Sequence, residues 1–303
     1  MTDHHTGTFE YWPGPMEGIS HPGFVRCVNK LHLTRRWMTP FLRISGNVPS
    51  SGKIRKFLAP FMESEVPVVC QLMGTDPAKL AETAAIAIDC KVAGINLNCG
   101  CPSKRVVKGG AGGGILGTPD LMREISEKIK SRIGETEFSL KIRSGWHDWH
   151  EMESFLPPLL ADGCVDKLFF HYRTTDEAYL PVQEKESRFL TASQLCTGIP
   201  LVLNGDLSDD KTLLPLLKKC QAAGAMFARS WLRDPFMLCR LQNECDIPAD
   251  QGREKFFSTL LTMPLSAGEK IEAAKMIWGI NSVRFREMTV QIQSAEADPC
   301  SKR

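Results

Sequence analysis

The chain lacks any run of about 18 apolar residues, so no segment of it reads as a membrane-spanning helix. Its start, Met1 to Thr8, is polar and has no apolar stretch, so it is not expected to be a secretory leader. No two of its cysteines have C-x-x-C spacing, and the eleven are scattered and odd in number. That argues against a disulfide framework and for reduced thiols in a cytoplasm. Internal repeats and low-complexity tracts are missing as well. Acidic residues are absent between Glu17 and Glu63, where eight basic ones occur: Arg26, Lys30, Arg35, Arg36, Arg43, Lys53, Arg55 and Lys56. A one-sign stretch of that length can hold phosphates or can be a solvated basic face, and the formal net charge of +2 does not decide between them.

What is present is a rhythm. Hydrophobic residues make up 43% and charged residues 24% of 303, ordinary for a globular chain that can bury a sizeable core. Short apolar runs at 9–16, 38–44, 67–72, 94–98, 137–142, 167–171, 200–203 and 225–228 alternate with amphipathic stretches such as 77–91, 119–133 and 211–222. Thr75-Asp76-Pro77, Thr118-Pro119-Asp120 and Ser208-Asp209-Asp210 supply helix-start signals. Eight strands alternating with helices imply parallel β/α units, and over about 230 residues these close naturally into a TIM (β/α)8 barrel. An open doubly wound sheet is the alternative. Beyond about Leu241 only helices are expected, interrupted at 264–268 and near Asn281. The expected division is a barrel over 1–240, a small all-helical domain over 241–303, and a frayed tail from 295.

In such a barrel the active site lies at the C-terminal strand ends. Those ends are polar here: Met16-Glu17-Gly18, Gln71, the segment from Asn98 to Pro102, Lys141 and Arg143, His171 and Arg173, Asn204-Gly205-Asp206, and Arg229-Ser230. Any one of them is compatible with packing; seven together point to a site. The last two loops suggest phosphate, through a tight turn at Asn204-Gly205-Asp206 and a cationic clamp at Arg229. Asn98-Cys99-Gly100-Cys101-Pro102 is followed by Lys104, Arg105, Lys108 and five glycines within 109–114, which predicts a mobile loop carrying a thiol over the mouth. The glycines are no P-loop, since no G-K-[ST] follows. Two thiols two residues apart have no partners at metal-ligand spacing, and none is expected. A thiol of ordinary pKa, about 8.5, suits a general acid better than a nucleophile. Cys99, on the opposite side of an extended chain, reads as core. The stretch from His147 to Glu151 is expected to be a polar loop.

These pieces, in this order, resemble the tRNA-dihydrouridine synthase family. Pro15-Met16-Glu17-Gly18 looks like its N-terminal flavin-contacting segment, in the form typical of bacterial class C members. Gln71 with Gly74 resembles Q-x-x-G; Asn98 to Pro102 resembles N-x-G-C-P; Ser139, Lys141 and Arg143 fit S-x-K-x-R; His171 to Thr174 fits H-x-R-T; Asn204-Gly205-Asp206 fits N-G-D. The resemblance spans about 11–240. It departs at Ala228-Arg229-Ser230, where the family has Gly-Arg-Gly, and at Ser20-His21, where Thr-Asp is common.

The resemblance implies FMN as cofactor, held by Pro15, Met16, Glu17, Gln71, Lys141, His171, Asn204, Gly205, Asp206, Ala228 and Arg229. It implies NADPH (or NADH) as reductant and tRNA as partner, with no obligate protein partner. Hydride would reach carbon 6 of a uracil from FMN, and Cys101 would protonate carbon 5 from the opposite face. Asn98, Arg143, Arg35 and Arg36 would bind the RNA substrate. Two competing readings remain at this level: an FMN barrel acting on a free pyrimidine, and a flavin-free RNA-binding protein on a degenerate barrel.

Overall fold

The computed structural model describes residues 9–297, without the side chains of 295–297. The polar start at Met1 to Thr8 and the end of the expected tail, 298–303, lie outside the described residues. Within 9–297 the strands are β1 (Glu10–Pro13), β2 (Trp37–Met38), β3 (Leu42–Ile44), β4 (Val68–Gly74), β5 (Gly94–Cys99), β6 (Glu137–Arg143), β7 (Lys167–His171), β8 (Leu201–Asn204) and β9 (Gly224–Phe227). Every pairing is parallel, in the order β1-β9-β8-β7-β6-β5-β4-β2, with β3 also beside β4. β1 and β2 meet at the seam, so the sheet is a nearly closed barrel and not an open one. Between the strands run α1 (Pro22–Lys30), α2 (Ser51–Met62), α3 (Pro77–Asp89), the short α4 (Lys104–Val107), α5 (Pro119–Ile133), α6 (Met152–Ala161), α7 (Lys185–Leu195) and α8 (Leu213–Lys219), and α9 (Arg229–Arg233) follows β9.

The single strand expected over 38–44 is split, and Pro40 is the reason. A proline cannot donate to the ladder. Met38 faces Val69 while Leu42 faces Leu72, so four residues on one side are spanned by three on the other, which is a bulge. Thr39 fills the gap: its hydroxyl accepts the Gln71 N–H at 3.0 Å. The helix starts hold in part. Asp76 caps α3 by accepting from Lys79 N at 3.0 Å, whereas Thr118 makes no side-chain cap and donates to the Ile115 carbonyl instead.

Side chains alternate across a strand, so every second residue points into the barrel. The lower interior is apolar: Trp12, Met38, Val69, Phe169, Val202 and Met226 form one buried cluster. Trp12 meets Phe169 edge-on at 5.0 Å, an arrangement worth about 0.5–1.5 kcal/mol beyond the area buried. The same parity carried toward the C-terminal ends gives Gln71, Asn98, Lys141, Arg143, His171 and Asn204.

Beyond the barrel come α10 (Met237–Leu241), α11 (Ala249–Leu261), α12 (Ala267–Trp278) and α13 (Val283–Ala297). The expected interruptions are there: Ser266 caps α12 in a capping box with Glu269, and Gly279 ends it at φ 82°. The boundary expected at 240/241 falls inside α10. These helices share one continuous apolar core with the barrel wall. Phe24 of α1 lies edge-on to Trp231 at 5.8 Å and to Phe256 at 5.3 Å.

Candidate active site

At the mouth, one side of the barrel is lined by amides. Asn98 Nδ2 donates to Gln71 Oε1 at 2.9 Å, and Gln71 Nε2 donates to Asn96 Oδ1 at 2.8 Å. Asn98 Oδ1 accepts the backbone N–H of Gly100 at 3.1 Å and of Cys101 at 3.0 Å. The amide of Asn98 therefore sets the turn that carries the thiol. Cys101 itself is partly buried and packs with Met73, Val106 and Ala111.

The glycine-rich segment behind Cys101 is not the loose loop expected from its composition. Residues Gly112–Gly117 form a turn of 3-10 helix, and Gly112, Gly113 and Gly114 are buried. The glycines serve close approach. A Cβ on Gly113 would fall 2.5 Å from Thr175 Oγ1, while its N–H donates to the Cys101 carbonyl at 2.9 Å. Flexibility in the unfolded chain and tight packing in the folded one demand the same residue, and composition alone cannot separate them. Cys99 is fully buried and its thiol pKa is pushed up by burial, as its reading as core requires.

The other side of the mouth is cationic. β-register places Lys141 beside Asn98, Arg143 beside His171, and His171 beside Asn204. Lys141 Nζ donates to Asn204 Oδ1 at 2.9 Å, and Asn204 Nδ2 donates to the Met226 carbonyl at 3.0 Å. Burial, with Arg143 nearby, lowers the Lys141 ammonium to about 7. His171 is held well below the usual imidazole range by burial first, then by Arg143, Lys141, Arg173 and Arg229. It is thus neutral, and its Nδ1 accepts the Arg173 N–H at 3.2 Å, which leaves the proton on Nε2.

Asp206 bridges the buried Arg173 and the exposed Arg229. Burial works against its charge, but the two guanidiniums outweigh it and hold the carboxyl below its ordinary range. Arg173 is 2% exposed, and its Nη1 has no hydrogen-bond partner. An unsatisfied, buried cationic donor is costly, and Arg173 and Arg229 share the carboxylate of Asp206 here, with Lys185 donating to its carbonyl. The arrangement is one that an anion completes. Gly205 stands at φ 110°, and a Cβ there would fall 2.8 Å from the Tyr172 ring, so only glycine makes this turn beside His171. Arg143 is spent largely on backbone: Nε donates to the Gly100 carbonyl at 2.7 Å, and Nη1 to those of Thr174 and Ala178 at 2.8 and 2.9 Å.

Pro15, Met16 and Glu17 follow β1 and lie at the same end of the barrel, with Pro15 and Met16 half-buried and Glu17 exposed. Ala228 stands next to them: a Cβ on Gly14 would come 2.9 Å from the Ala228 methyl. The departure to alanine is thus matched by a glycine on the facing strand end. The departure at His21 also has a local role, since its Nδ1 caps α1 by accepting from Phe24 N at 3.1 Å.

Arg35 and Arg36 are not brought together with the rest. They precede β2, at the opposite end of the barrel. Arg35 is ion-paired with Glu244, and Arg36 with Glu10 at 2.9 Å, its guanidinium 4.9 Å from the Trp12 ring centroid. Of the acid-free stretch, Arg43 is the cation that reaches the mouth; its Nη2 lies 3.8 Å from where a Cβ on Gly109 would stand. With Lys104, Arg105 and Lys108 it forms an exposed group beside Cys101. The 147–151 stretch is a capped 3-10 turn, with Asp148 and Glu151 closing a capping box. Sequence reasoning missed Asn96 and Tyr179. Asn96 shares the inward parity of Asn98, a usable signal. Tyr179, 62% exposed, has guanidiniums of Arg143 and Arg229 at 5.8 and 5.4 Å from its ring, and nothing in the sequence announces that.

Comparison with known proteins agrees with this geometry. The family described as "Dihydrouridine synthase (Dus)" matches residues 13–289. A tRNA-dihydrouridine(16) synthase of Cupriavidus necator is 30% identical over 258 residues, covering 78% of this chain and 75% of its own. A tRNA-dihydrouridine synthase B of Pectobacterium carotovorum is 27% identical, covering 80% and 75%. Among solved structures, an old yellow enzyme homologue from Zymomonas mobilis superposes with a TM-score of 0.55 at 12% identity, covering 86% of this chain and 95% of its own, a likeness of fold. The chain belongs to the dihydrouridine synthase family and is an oxidoreductase built on a TIM barrel.

Proposed function

We propose that this protein reduces the C5=C6 bond of uridine in tRNA, with FMN at the barrel mouth and NADPH or NADH as the source of electrons, in the cytoplasm. The observation that carries this reading is the thiol of Cys101, fixed on a capped turn at the rim of a mouth that is amide on one side and cationic on the other. FMN, when bound, supplies the hydride for carbon 6. The site's residues fit it: the unpartnered Arg173 Nη1 and Arg229 suit its phosphate, His171 Nε2–H and Asn204 its ribityl chain, and Lys141 and Gln71 the polar edge of its ring. Pro15, Met16, Glu17, Gly205, Asp206 and Ala228 would complete the wall. Phosphate has an acceptor for each of these donors, which a bare uracil has not.

Cys101 gives its proton to carbon 5 and regains one from solvent. Asn98 holds the backbone of Cys101 and presents its amide edge to the base. Arg143 fixes the thiol turn through the Gly100 carbonyl and keeps Nη2 for a substrate oxygen. A uracil in folded RNA must leave its stack to reach this depth. The exposed Arg43, Lys104, Arg105 and Lys108 would then meet the flanking phosphates, with the helices of 241–297 as a second support. That cationic rim favours RNA over a free pyrimidine, which has no backbone for it to hold.

The test is reconstitution. Protein loaded with FMN and given NADPH should form dihydrouridine in tRNA from a strain lacking the activity, read by nucleoside mass spectrometry. The Cupriavidus relative makes uridine 16 the first position to inspect. Turnover of dihydroorotate or free uracil with none of tRNA would replace this reading by the free-pyrimidine one.

A further inference from the structure

The amides at the mouth belong to a longer chain of side chains that runs inward. Ser139 Oγ donates to the Ile95 carbonyl at 3.3 Å, which leaves its lone pair to accept Asn96 Nδ2 at 2.9 Å. Asn96 Oδ1 in turn accepts Gln71 Nε2 at 2.8 Å, Gln71 Oε1 accepts Asn98 Nδ2 at 2.9 Å, and Asn98 Oδ1 accepts the N–H groups of Gly100 and Cys101. Every link points the same way. Gln71, Asn96 and Ser139 are fully buried and Asn98 is 9% exposed, so solvent water has little access to replace a lost partner.

A primary amide is nearly symmetric in shape and opposite in polarity at its two ends, so its orientation is set by its partners. Turning Asn96 over would set its Nδ2 against Gln71 Nε2, donor against donor. Gln71 would have to turn too, then Asn98, and the Asn98 NH2 would then face the two backbone N–H groups it now accepts. The conflict is relieved only where the chain ends, at the thiol turn. The other end is pinned, because the Ser139 hydroxyl has committed its proton to a strand carbonyl.

We infer that Asn96 is a positioning residue for Cys101: by receiving Gln71 and donating to Ser139, it fixes the orientation of the Gln71 and Asn98 amides and thereby the place of the thiol. The inference rests on the reading of Cys101 as proton donor. Asn96 itself touches neither substrate nor thiol. It acts through two other side chains, across β4, β5 and β6.

The experiment uses the full chain and three variants: Asn96→Leu, similar in shape and without polar atoms; Asn96→Asp; and Ser139→Ala, which removes the acceptor of Asn96 Nδ2. Iodoacetamide labelling is followed at each cysteine by peptide mass spectrometry. Asn96→Leu should change the labelling rate of Cys101 by about fivefold or more, while Cys90 and Cys164, away from the mouth, keep theirs. Single-turnover formation of dihydrouridine should fall about tenfold or more with tRNA affinity unchanged, as for loss of a buried hydrogen-bond partner. Asn96→Asp should restore both, because a carboxyl kept neutral by burial accepts from Gln71 Nε2 through its carbonyl oxygen and donates its O–H to Ser139 Oγ, as the amide does. Should Asn96→Leu fail to fold, Ser139→Ala carries the test in the same direction. Unchanged Cys101 labelling in a folded Asn96→Leu or, failing that, in Ser139→Ala overturns the inference, as does an Asn96→Asp no better than Asn96→Leu. Labelling needs no turnover, so it decides the role of Asn96 even if the wild-type protein forms no dihydrouridine and the functional reading falls.

Discussion

Lys141 offers the sharpest handle on the cofactor, because its charge is undecided at neutral pH. Its amine is lowered to about 7, chiefly by burial and secondarily by Arg143. The charged form is therefore present below about pH 7 and lost as pH rises through it. In the cofactor-free protein this makes the folded state bind fewer protons than the unfolded one between about 7 and 10.5, so the group's contribution to stability improves as pH rises across that window. A flavin-ring acceptor that takes a hydrogen bond from the amine favours the ammonium, and the phosphate held by Arg173 and Arg229 adds negative charge to the same mouth. Binding above pH 7 must then take up a proton, at about 1.4 kcal/mol per pH unit. Affinity for FMN should accordingly fall about tenfold per unit above pH 7, until the amine's pKa in the complex is reached. The window from about pH 7 to 9 is the one to use, because a phosphate monoester is already dianionic there. His171 is neutral throughout and adds no slope. Titration calorimetry of the apo-protein with FMN, in two buffers of different ionisation enthalpy, reads the proton directly. Uptake should climb toward one proton across the window and vanish in Lys141→Met. A flat affinity with no proton uptake would show that the amine donates to no flavin acceptor, and would refute the placement of the flavin ring against Lys141.

Cys101→Ala should keep FMN and tRNA binding but lose dihydrouridine formation by about a hundredfold or more, the usual contribution of a positioned acid, whereas Cys99→Ala should cost only modest stability in a melting experiment; the reverse pattern would mean that the proton donor is misassigned. Charge reversal of Lys104, Arg105 and Lys108 together should weaken tRNA binding about tenfold or more and flatten its salt dependence. Reversal of Arg35 and Arg36, paired with Glu244 and Glu10 at the far end, should instead lower the melting temperature and leave affinity nearly unchanged; filter binding across a salt series separates the two. Gly113→Ala should destabilise by about 1–3 kcal/mol in urea unfolding and slow turnover, because its methyl would enter Thr175 and shift the Cys101 carbonyl. Ala228→Gly, by contrast, should leave flavin content unchanged, since the Ala228 methyl already has its room opposite Gly14.

The sequence by itself determined a parallel β/α architecture, and the meeting of β1 with β2 decided its closure into a barrel over the open sheet. Eight apolar runs alternating with helical periodicity leave few closures, and strand parity then forces Gln71, Asn98, Lys141, His171 and Asn204 into one mouth, because residues of equal parity on neighbouring parallel strands share a face. The helix breaks near 264–268 and 281 were legible for the same local reason, in capping and turn chemistry. Three further matters were decided only by tertiary structure. The basic stretch reads as one surface in sequence, but the barrel sends Arg35 and Arg36 to one end and Arg43 to the other, since residues before β2 and residues in β3 lie at opposite ends of the barrel wall. The glycine run reads as loose, and packing against Thr175 and Val107 makes it tight, since a missing Cβ permits motion and close approach alike. Asn96 reads as one more polar strand residue until neighbouring strands bring Gln71 and Ser139 within hydrogen-bonding distance. Its partners are 25 and 43 residues away, and only β-register could tell which way its amide must face.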